Sequence, residues 1–123
     1  MEVLSIFRDF FRDSPNARAV RAGEPVFQRG DPADVMYVVL EGLIEVSVDG
    51  VTVESLDPGS ILGEMAIVDD GPRSADAFAS VDSTLGPVDR EWFLHLIRHS
   101  PQFGLHVMSV MANRLRRFMT PEA

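Results

Sequence analysis

Residues 61–75 of the sequence read ILGEMAIVDDGPRSA, a segment that combines a Gly-Glu step with an arginine nine positions later. Gly63 permits a close backbone approach and a sharp entry into a short helical turn. The backbone amides of Met65 and Ala66 are then expected to be free donors at the start of that turn, where an anion binds well. The segment therefore predicts a site for a small anionic ligand.

Polar side chains in the same segment indicate what that ligand contains. Arg73 follows a proline and offers a planar guanidinium that can hold a phosphate through two parallel hydrogen bonds. Ser74 adds a hydroxyl donor beside it, and Glu64 can accept a hydrogen bond from a sugar hydroxyl. A carboxylate for a ribose and a guanidinium for a phosphate on one loop favour a nucleotide. The alternative interpretation is a surface ion pair between Glu64 and Arg73.

The charge distribution draws attention to the same arginine. The chain has 123 residues and a formal net charge of −8, and residues 31–89 hold 13 acidic side chains against Arg73 as their single base. An acidic surface repels nucleic-acid phosphates and anionic lipid, which disfavours a general nucleic-acid or membrane-surface role. We expect an arginine alone in so acidic a segment to face a specific anion.

Residues 17–88 alternate short β-type runs with turn signals at intervals of roughly 8–12 residues, as in an all-β barrel or sandwich. The apolar run Val35–Leu40 predicts a strand buried on both faces. Asp49-Gly50 predicts a two-residue type I′ hairpin turn. The cross-strand pairs predicted from that turn are Val48–Val51, Ser47–Thr52, Val46–Val53 and Glu45–Glu54.

Helical patterns flank the β region. Apolar residues at helical spacing predict an amphipathic helix over residues 1–13, and Pro101 separates two further helices within residues 90–119. The length suits one domain over residues 1–123. The absence of cysteine excludes disulfides and Cys-held metals. His95 and His99 are four residues apart, but no third ligand is recognisable, so no metal site is predicted.

Two segments together resemble the cyclic nucleotide-binding domain family. Residues 61–75 are similar to its phosphate-binding cassette, approximately Phe-Gly-Glu-Leu/Ile-Ala, a loop, and then Arg-Ser/Thr/Ala-Ala. Residues 30–42, GDPADVMYVVLEG, resemble its second hallmark, a Gly-Asp turn leading into a strand that ends at glycine. The resemblance covers about residues 7–118. It implies a mainly β fold, a double-stranded β-helix (jelly-roll-like β-roll) barrel with an N-terminal helix and C-terminal helices.

The resemblance also implies residue roles. Glu64 is expected to accept from the ribose 2′-hydroxyl, while Arg73 and Ser74 hold the cyclic phosphate and the backbone of Gly63, Glu64, Met65 and Ala66 lines the site. Arg114 falls where catabolite-activator-like members place a helix arginine near the ribose-binding glutamate. Phe118, one turn further on, is expected to cover the purine. Leu62 departs from the family pattern by replacing the usual aromatic residue.

These observations predict a stand-alone regulatory module that binds a cyclic nucleotide, with a modest preference for cAMP over cGMP. We expect binding rather than catalysis, no further cofactor, and a ligand-induced rearrangement of the helices that an unknown downstream protein reads. The last helix is predicted to support a homodimer through Met111, Leu115 and Phe118. Early acidic residues and short apolar runs argue against a signal peptide or a membrane segment, so a cytoplasmic location is expected.

Several alternatives remain open at this point. The fold could serve as a protein-interaction scaffold with a degenerate pocket, or as the excised regulatory domain of a channel, kinase or transporter. A metal-dependent cupin-like enzyme is disfavoured because residues 17–88 contain no histidine. The sequence ends at Ala123, which leaves no room in it for the helix-turn-helix domain of the family's transcription factors.

Overall fold

The computed structural model describes residues 16–69 and 71–119, with only the backbone of Phe118 and Met119. The helix predicted over residues 1–13 lies outside the described residues. The described strands are β1 (Arg18–Val20), β2 (Pro25–Phe27), β3 (Val35–Glu41), β4 (Ile44–Val48), β5 (Val51–Leu56), β6 (Ile61–Leu62), β7 (Asp76–Ala79) and β8 (Ser83–Asp89). The described helices are α1 (Met65–Val68), α2 (Arg90–His99) and α3 (Pro101–Met119).

The strands form two antiparallel sheets of four strands each. One sheet has the order β1-β8-β3-β6 and the other β2-β7-β4-β5. Within the described ranges no strand pairing joins the two sheets into one closed barrel. The mainly β, jelly-roll-like architecture with C-terminal helices is therefore confirmed, as two facing sheets.

Strand β3 is buried on both faces, as its continuous apolar sequence predicted. Met36 and Val38 point into a cluster that β3 forms with the helices, where Phe103 of α3 is fully buried. Tyr37 and Val39 point the other way, into the core between the two sheets. Successive side chains of a strand face opposite sides, so this one strand joins both cores. It also fixes the helices relative to the sheets.

The two C-terminal helices have the predicted bounds. Asp89 caps α2 by accepting a hydrogen bond from the backbone amide of Trp92 at 2.8 Å, which satisfies an otherwise unpaired donor. Helix α2 ends at His99, and Pro101 begins α3. Because α3 packs its buried face against β3, its C-terminal half extends along the cassette segment.

The hairpin between β4 and β5 has the predicted turn, with Asp49 and Gly50 both at positive φ, 53° and 82°. The pairs Val48–Val51 and Ser47–Thr52 next to the turn are confirmed.

The predicted pairs further from the turn are wrong. Val46 lies opposite Glu54, and Glu45 lies opposite Ser55. The register shifts at a bulge between Val46 and Ser47, where one extra residue enters β5 and moves every later side chain by one position. The shift separates the carboxylates of Glu45 and Glu54, and Ser55 donates a hydrogen bond to Glu45 at 2.6 Å.

Candidate ligand-binding site

A cavity of about 620 Å³ lies between the cassette segment, the β4–β5 hairpin and α3. Seven of the eight predicted ligand residues line it: Gly63, Glu64, Met65, Ala66, Arg73, Ser74 and Arg114. The side chain of the eighth, Phe118, is outside the described part of the structure. Residues that are far apart in the sequence thus meet around one cavity of a size suited to a small molecule.

Arg73 is buried at one end of this cavity, with 7% of its surface exposed. Its Nη2 donates to the carbonyl of Val35 at 2.8 Å, and its guanidinium carbon lies 4.3 Å from the ring centroid of Phe27. Its Nε and Nη1 are buried and have no hydrogen-bond partner among the described residues. Two nitrogen donors of one guanidinium are therefore left for acceptors that this part of the chain does not supply.

The pKa of the Arg73 guanidinium also indicates that an anion would be favourable at this site. Burial lowers the pKa of the Arg73 guanidinium because it removes hydration from the charged form, and nearby Tyr37, Asp34 and Asp31 offset this only in part. Arginine nevertheless stays protonated in proteins. The site therefore holds a poorly hydrated positive charge, which an anion within hydrogen-bond distance would stabilise.

The placement of Arg73 requires a glycine at position 63, because any side chain there would collide with the guanidinium. The φ of Gly63 is +74°, and a Cβ atom built on it would lie 2.5 Å from Nη1 of Arg73. A side chain would therefore occupy the space beside the unpartnered donor. The sequence predicted a close backbone approach and a sharp turn at Gly63. In the structure the group that lies close to Gly63 is the guanidinium of Arg73.

The short helix α1 follows directly. Met65 is half exposed and lines the cavity, while Ala66 is buried. The Ala66 amide donates to the carbonyl of Gly63 at 3.1 Å, so the expectation that this amide is free is wrong. The tight turn that Gly63 permits brings its own carbonyl within reach of that donor.

Glu64 is buried, with 5% exposed, and its Oε1 accepts a hydrogen bond from Nη1 of Arg114 at 2.6 Å. A buried carboxylate requires such a partner. The second oxygen of Glu64 has no such bond to Arg114, so the carboxylate retains acceptor capacity toward the cavity. Arg114 therefore lies beside Glu64, at the position that the resemblance implied.

Glu54 lines the site although the sequence did not single it out. Its two carboxylate oxygens accept from Nε and Nη2 of Arg114 at 3.1 and 3.3 Å. Nη2 also donates to the carbonyl of Ile61 at 2.9 Å. Burial alone would lower the pKa of Arg114, but the charges and hydrogen bonds of Glu64 and Glu54 outweigh it and the pKa is raised. Arg114 thus ties α3 to both the cassette and the hairpin.

The bulge in the hairpin explains why Glu54 could not be found by pattern. Without the bulge Glu54 would pair with Glu45, on the face opposite Val46. With the bulge it pairs with Val46, and both line the cavity. A two-residue turn signal carries no information about a bulge three residues further along the strand.

Two more polar side chains line the cavity. Ser74 is exposed and follows Arg73, so its hydroxyl is available at the same end. Arg117 lies one turn after Arg114, and its Nη1 is 3.7 Å from Oε2 of Glu54.

The two histidines of α2 do not form a metal site with other described residues. His95 and His99 pack ring against ring on α2, with centroids 4.1 Å apart. Across residues 16–69 and 71–119 there is no cluster of three histidine, cysteine, aspartate or glutamate residues that could hold a metal. None of the helices described is both long enough and apolar enough to cross a membrane.

The two-sheet fold, the cavity and the buried arginine beside a Gly-Glu turn are features of a domain that binds a small anionic ligand. The chain belongs to the cyclic nucleotide-binding domain family, whose model matches residues 17–100. Domains of this family bind cAMP or cGMP as a regulatory ligand.

Individual relatives come from both bacteria and eukaryotes. The Cyclic AMP receptor protein of Thermus thermophilus is 37% identical over 99 residues, which is 76% of this chain and 46% of the relative. The cGMP-dependent protein kinase egl-4 of Caenorhabditis briggsae is 37% identical over 100 residues, 76% of this chain and 13% of the kinase. The chain therefore spans half or less of the length of these relatives.

Solved structures agree with this assignment. The Thermus thermophilus Catabolite Activator Protein superposes with a TM-score of 0.73 and 32% identity, over 94% of this chain and 53% of the other. A structure described as "A cyclic-GMP-dependent signalling pathway regulates bacterial phytopathogenesis" also has a TM-score of 0.73, with 31% identity over 93% of this chain and 91% of the other.

Proposed function

We propose that this chain is a regulatory module that binds a cyclic purine nucleotide in the cavity beside Arg73. The observation that carries the proposal is the buried guanidinium of Arg73, which lines that cavity and whose Nε and Nη1 have no partner among the described residues. A cyclic phosphate supplies a negative charge and acceptor oxygens for such donors. The mechanism is binding rather than catalysis.

The remaining residues of the cavity suit the other parts of the nucleotide. Ser74 donates to the phosphate beside Arg73. Glu64 accepts from the ribose 2′-hydroxyl through the oxygen that Arg114 leaves available. The backbone from Gly63 to Ala66 lines the same wall. Phe118 as a cover for the base stays a prediction, since its side chain lies outside the described structure.

The walls near the hairpin are apolar. Val46, Val48 and Val53 line the cavity there and can cover the faces of a purine. Contacts with a ring face discriminate poorly between bases, and Ser74 does not by itself require guanine. We therefore keep the prediction of cAMP as ligand with a preference of less than roughly a hundredfold over cGMP.

The output of the module is the position and surface of α3. Arg114 connects this helix to Glu64, so a ligand hydrogen-bonded to Glu64 changes the free energy of helix docking. The helix carries an exposed apolar row of Leu105, Met108 and Leu115, which are 64%, 60% and 58% exposed. These spacings of three and seven residues match those of the apolar positions in a coiled coil.

We propose that a second copy of this chain packs on that row. Of the three residues predicted for the dimer contact, Leu115 lies in the exposed row. Met111 instead packs against the core around Phe103, and the side chain of Phe118 is not described. The seam is therefore shifted by part of a turn from the sequence-based prediction.

Isothermal titration calorimetry with cAMP, cGMP and 5′-AMP tests the proposed function. Micromolar binding of a cyclic nucleotide and weaker binding of 5′-AMP are expected, because the cradle around Gly63 and Arg73 suits a compact, singly charged phosphate. If neither cyclic nucleotide binds at about 1 mM, the fold is a scaffold with a degenerate pocket.

A further inference from the structure

The helix side of the cavity contains an arginine for which neither the family pattern nor the proposed phosphate and ribose contacts have a role. We propose that Arg117 recognises the edge of the purine base and favours guanine through its O6 and N7 atoms. This inference rests on the proposed function, because it concerns the same nucleotide in the same cavity.

The position of Arg117 follows from helix geometry. Residues three apart on a helix lie on the same surface, so Arg117 shares the cavity face of α3 with Arg114. Both line the cavity, whereas Arg116, between them in the sequence, does not. Arg116 instead donates to Asn113 of its own helix at 2.8 Å.

A chain of contacts leads from the ribose site to Arg117. Glu64, the proposed ribose residue, is bonded to Arg114 at 2.6 Å, and Arg114 is bonded to Glu54. Glu54 in turn lies 3.7 Å from Arg117. The base of a nucleotide is attached to its ribose. If the ribose is bound at Glu64 and the base extends toward α3, the base lies next to Arg117.

The hydrogen-bonding capacity of Arg117 is not consumed by Glu54. Both carboxylate oxygens of Glu54 accept from Arg114 within 3.3 Å, while the 3.7 Å separation from Arg117 exceeds hydrogen-bond distance. The carboxylate therefore holds the second guanidinium at the cavity edge by charge alone. The side chain of Arg117 is 57% exposed, so it is free to reorient toward a ligand.

The donor pattern of arginine matches one purine better than the other. Guanine presents two neighbouring acceptors, O6 and N7, to a bidentate guanidinium, whereas adenine presents N7 beside an amino donor. Val46, Val48 and Val53 line the cavity and can cover the ring faces, which leaves the edge of the base to polar groups. Arg117 thus raises affinity for cGMP and narrows the modest preference for cAMP.

The test compares Arg117→Ala with Arg116→Ala, which removes the same charge from the same turn of α3 but outside the cavity. Each protein is titrated calorimetrically with cAMP, cGMP and cyclic inosine monophosphate, which keeps O6 and N7 but lacks the 2-amino group of guanine. Arg117→Ala is expected to weaken cGMP and the inosine nucleotide by about fivefold to tenfold. Its affinity for cAMP should change by less than about twofold, and Arg116→Ala should leave all three affinities near the parent values.

The possible failures are distinguishable. Equal losses for all three nucleotides, or no loss for any, overturn the role of Arg117 while leaving the proposed function intact. A loss for cGMP without a loss for the inosine nucleotide shows that the 2-amino group is read, which also overturns the assignment to O6 and N7. A parent that binds none of the three contradicts the proposed function itself.

Discussion

Arg114 on α3 and Glu64 in the cassette are fifty residues apart in the chain, and their side chains meet at 2.6 Å. Only 6% of the Glu64 side chain and 21% of the Arg114 side chain are exposed. This contact joins the proposed ribose site to the helix proposed as the output, and Arg114 also bonds to Glu54 and to the carbonyl of Ile61. We therefore expect ligand binding and the position of α3 to be coupled through this guanidinium.

Breaking this contact from the helix side should destabilise the fold. Arg114→Leu leaves the buried carboxylate of Glu64 without its cation, and we expect a loss of about 2–4 kcal/mol in the free energy of unfolding. Glu64→Gln in the same chain should restore part of this loss, since it removes the uncompensated charge. Urea unfolding of the two single variants and the double variant measures the coupling. Strictly additive effects would show that the pair is not coupled.

Gly63→Ala should abolish tight ligand binding. The new methyl group meets Nη1 of Arg73 at 2.5 Å and displaces the guanidinium from the cavity wall. We expect at least a tenfold loss of cyclic nucleotide affinity, together with about 1 kcal/mol or more of backbone strain. Gly23→Ala is the matched control, because Gly23 has a φ of +88° with no atom within 4 Å of the built Cβ. If both variants bind equally well, the space beside Arg73 is not needed.

Leu115→Glu should shift the protein from dimer to monomer. The substitution places a charge in the proposed seam with Leu105 and Met108, and burying it there would be unfavourable. Sedimentation equilibrium at high micromolar concentration measures the change, with Asn113→Glu as the control on another face of α3. A monomer in the parent as well as in Leu115→Glu would contradict the seam.

His106 should make the fold sensitive to mild acid. It lies on α3 beside the turn at Gly59, in a second cavity with Asp57, Glu54 and Arg114. Burial lowers the pKa of His106, and a hydrogen bond with the Gly59 backbone offsets this only in part. The folded protein therefore takes up this proton less readily than the unfolded chain, in which histidine titrates near 6.5.

The stabilisation from neutral His106 is complete above about pH 6.5 and is lost as the pH falls toward the lowered pKa. Urea unfolding at about pH 7.5 and pH 5.5 should thus show a larger drop in the parent than in His106→Asn. His99→Asn, on the exposed side of α2, is the control for loss of one imidazole. An equal drop in the parent and in His106→Asn would contradict a partly buried, neutral His106.

Much of the fold could be predicted from short sequence patterns such as helix caps, prolines and apolar runs. The bounds of α2 and α3 follow from a capping side chain at Asp89 and a proline at residue 101, both visible in the sequence. The apolar run of β3 predicts burial on two faces because only a strand between two cores tolerates it. The cassette residues come together for a similar reason, since they are close in the sequence and one glycine sets their turn.

Tertiary contacts account for what could not be predicted. Glu54 faces the cavity only because a bulge shifts β5 by one residue, and the turn signal at Asp49-Gly50 is the same with or without it. The role of Arg117 depends on which face of α3 meets the hairpin. Helical periodicity in the sequence shows which residues of α3 share a face. Only the packing of α3 against β3 decides which of these faces covers the cavity.

The claim that Arg73 anchors a cyclic phosphate is decided by titrating cAMP into the parent and into Arg73→Leu. We expect Arg73→Leu to lose several kcal/mol of binding free energy, a fall of at least about a hundredfold in affinity, with partial rescue in Arg73→Lys. The thermal midpoint should be maintained or raised, because leucine removes a charge that is costly to bury. Arg73→Leu that is folded and binds cAMP as tightly as the parent would contradict the account.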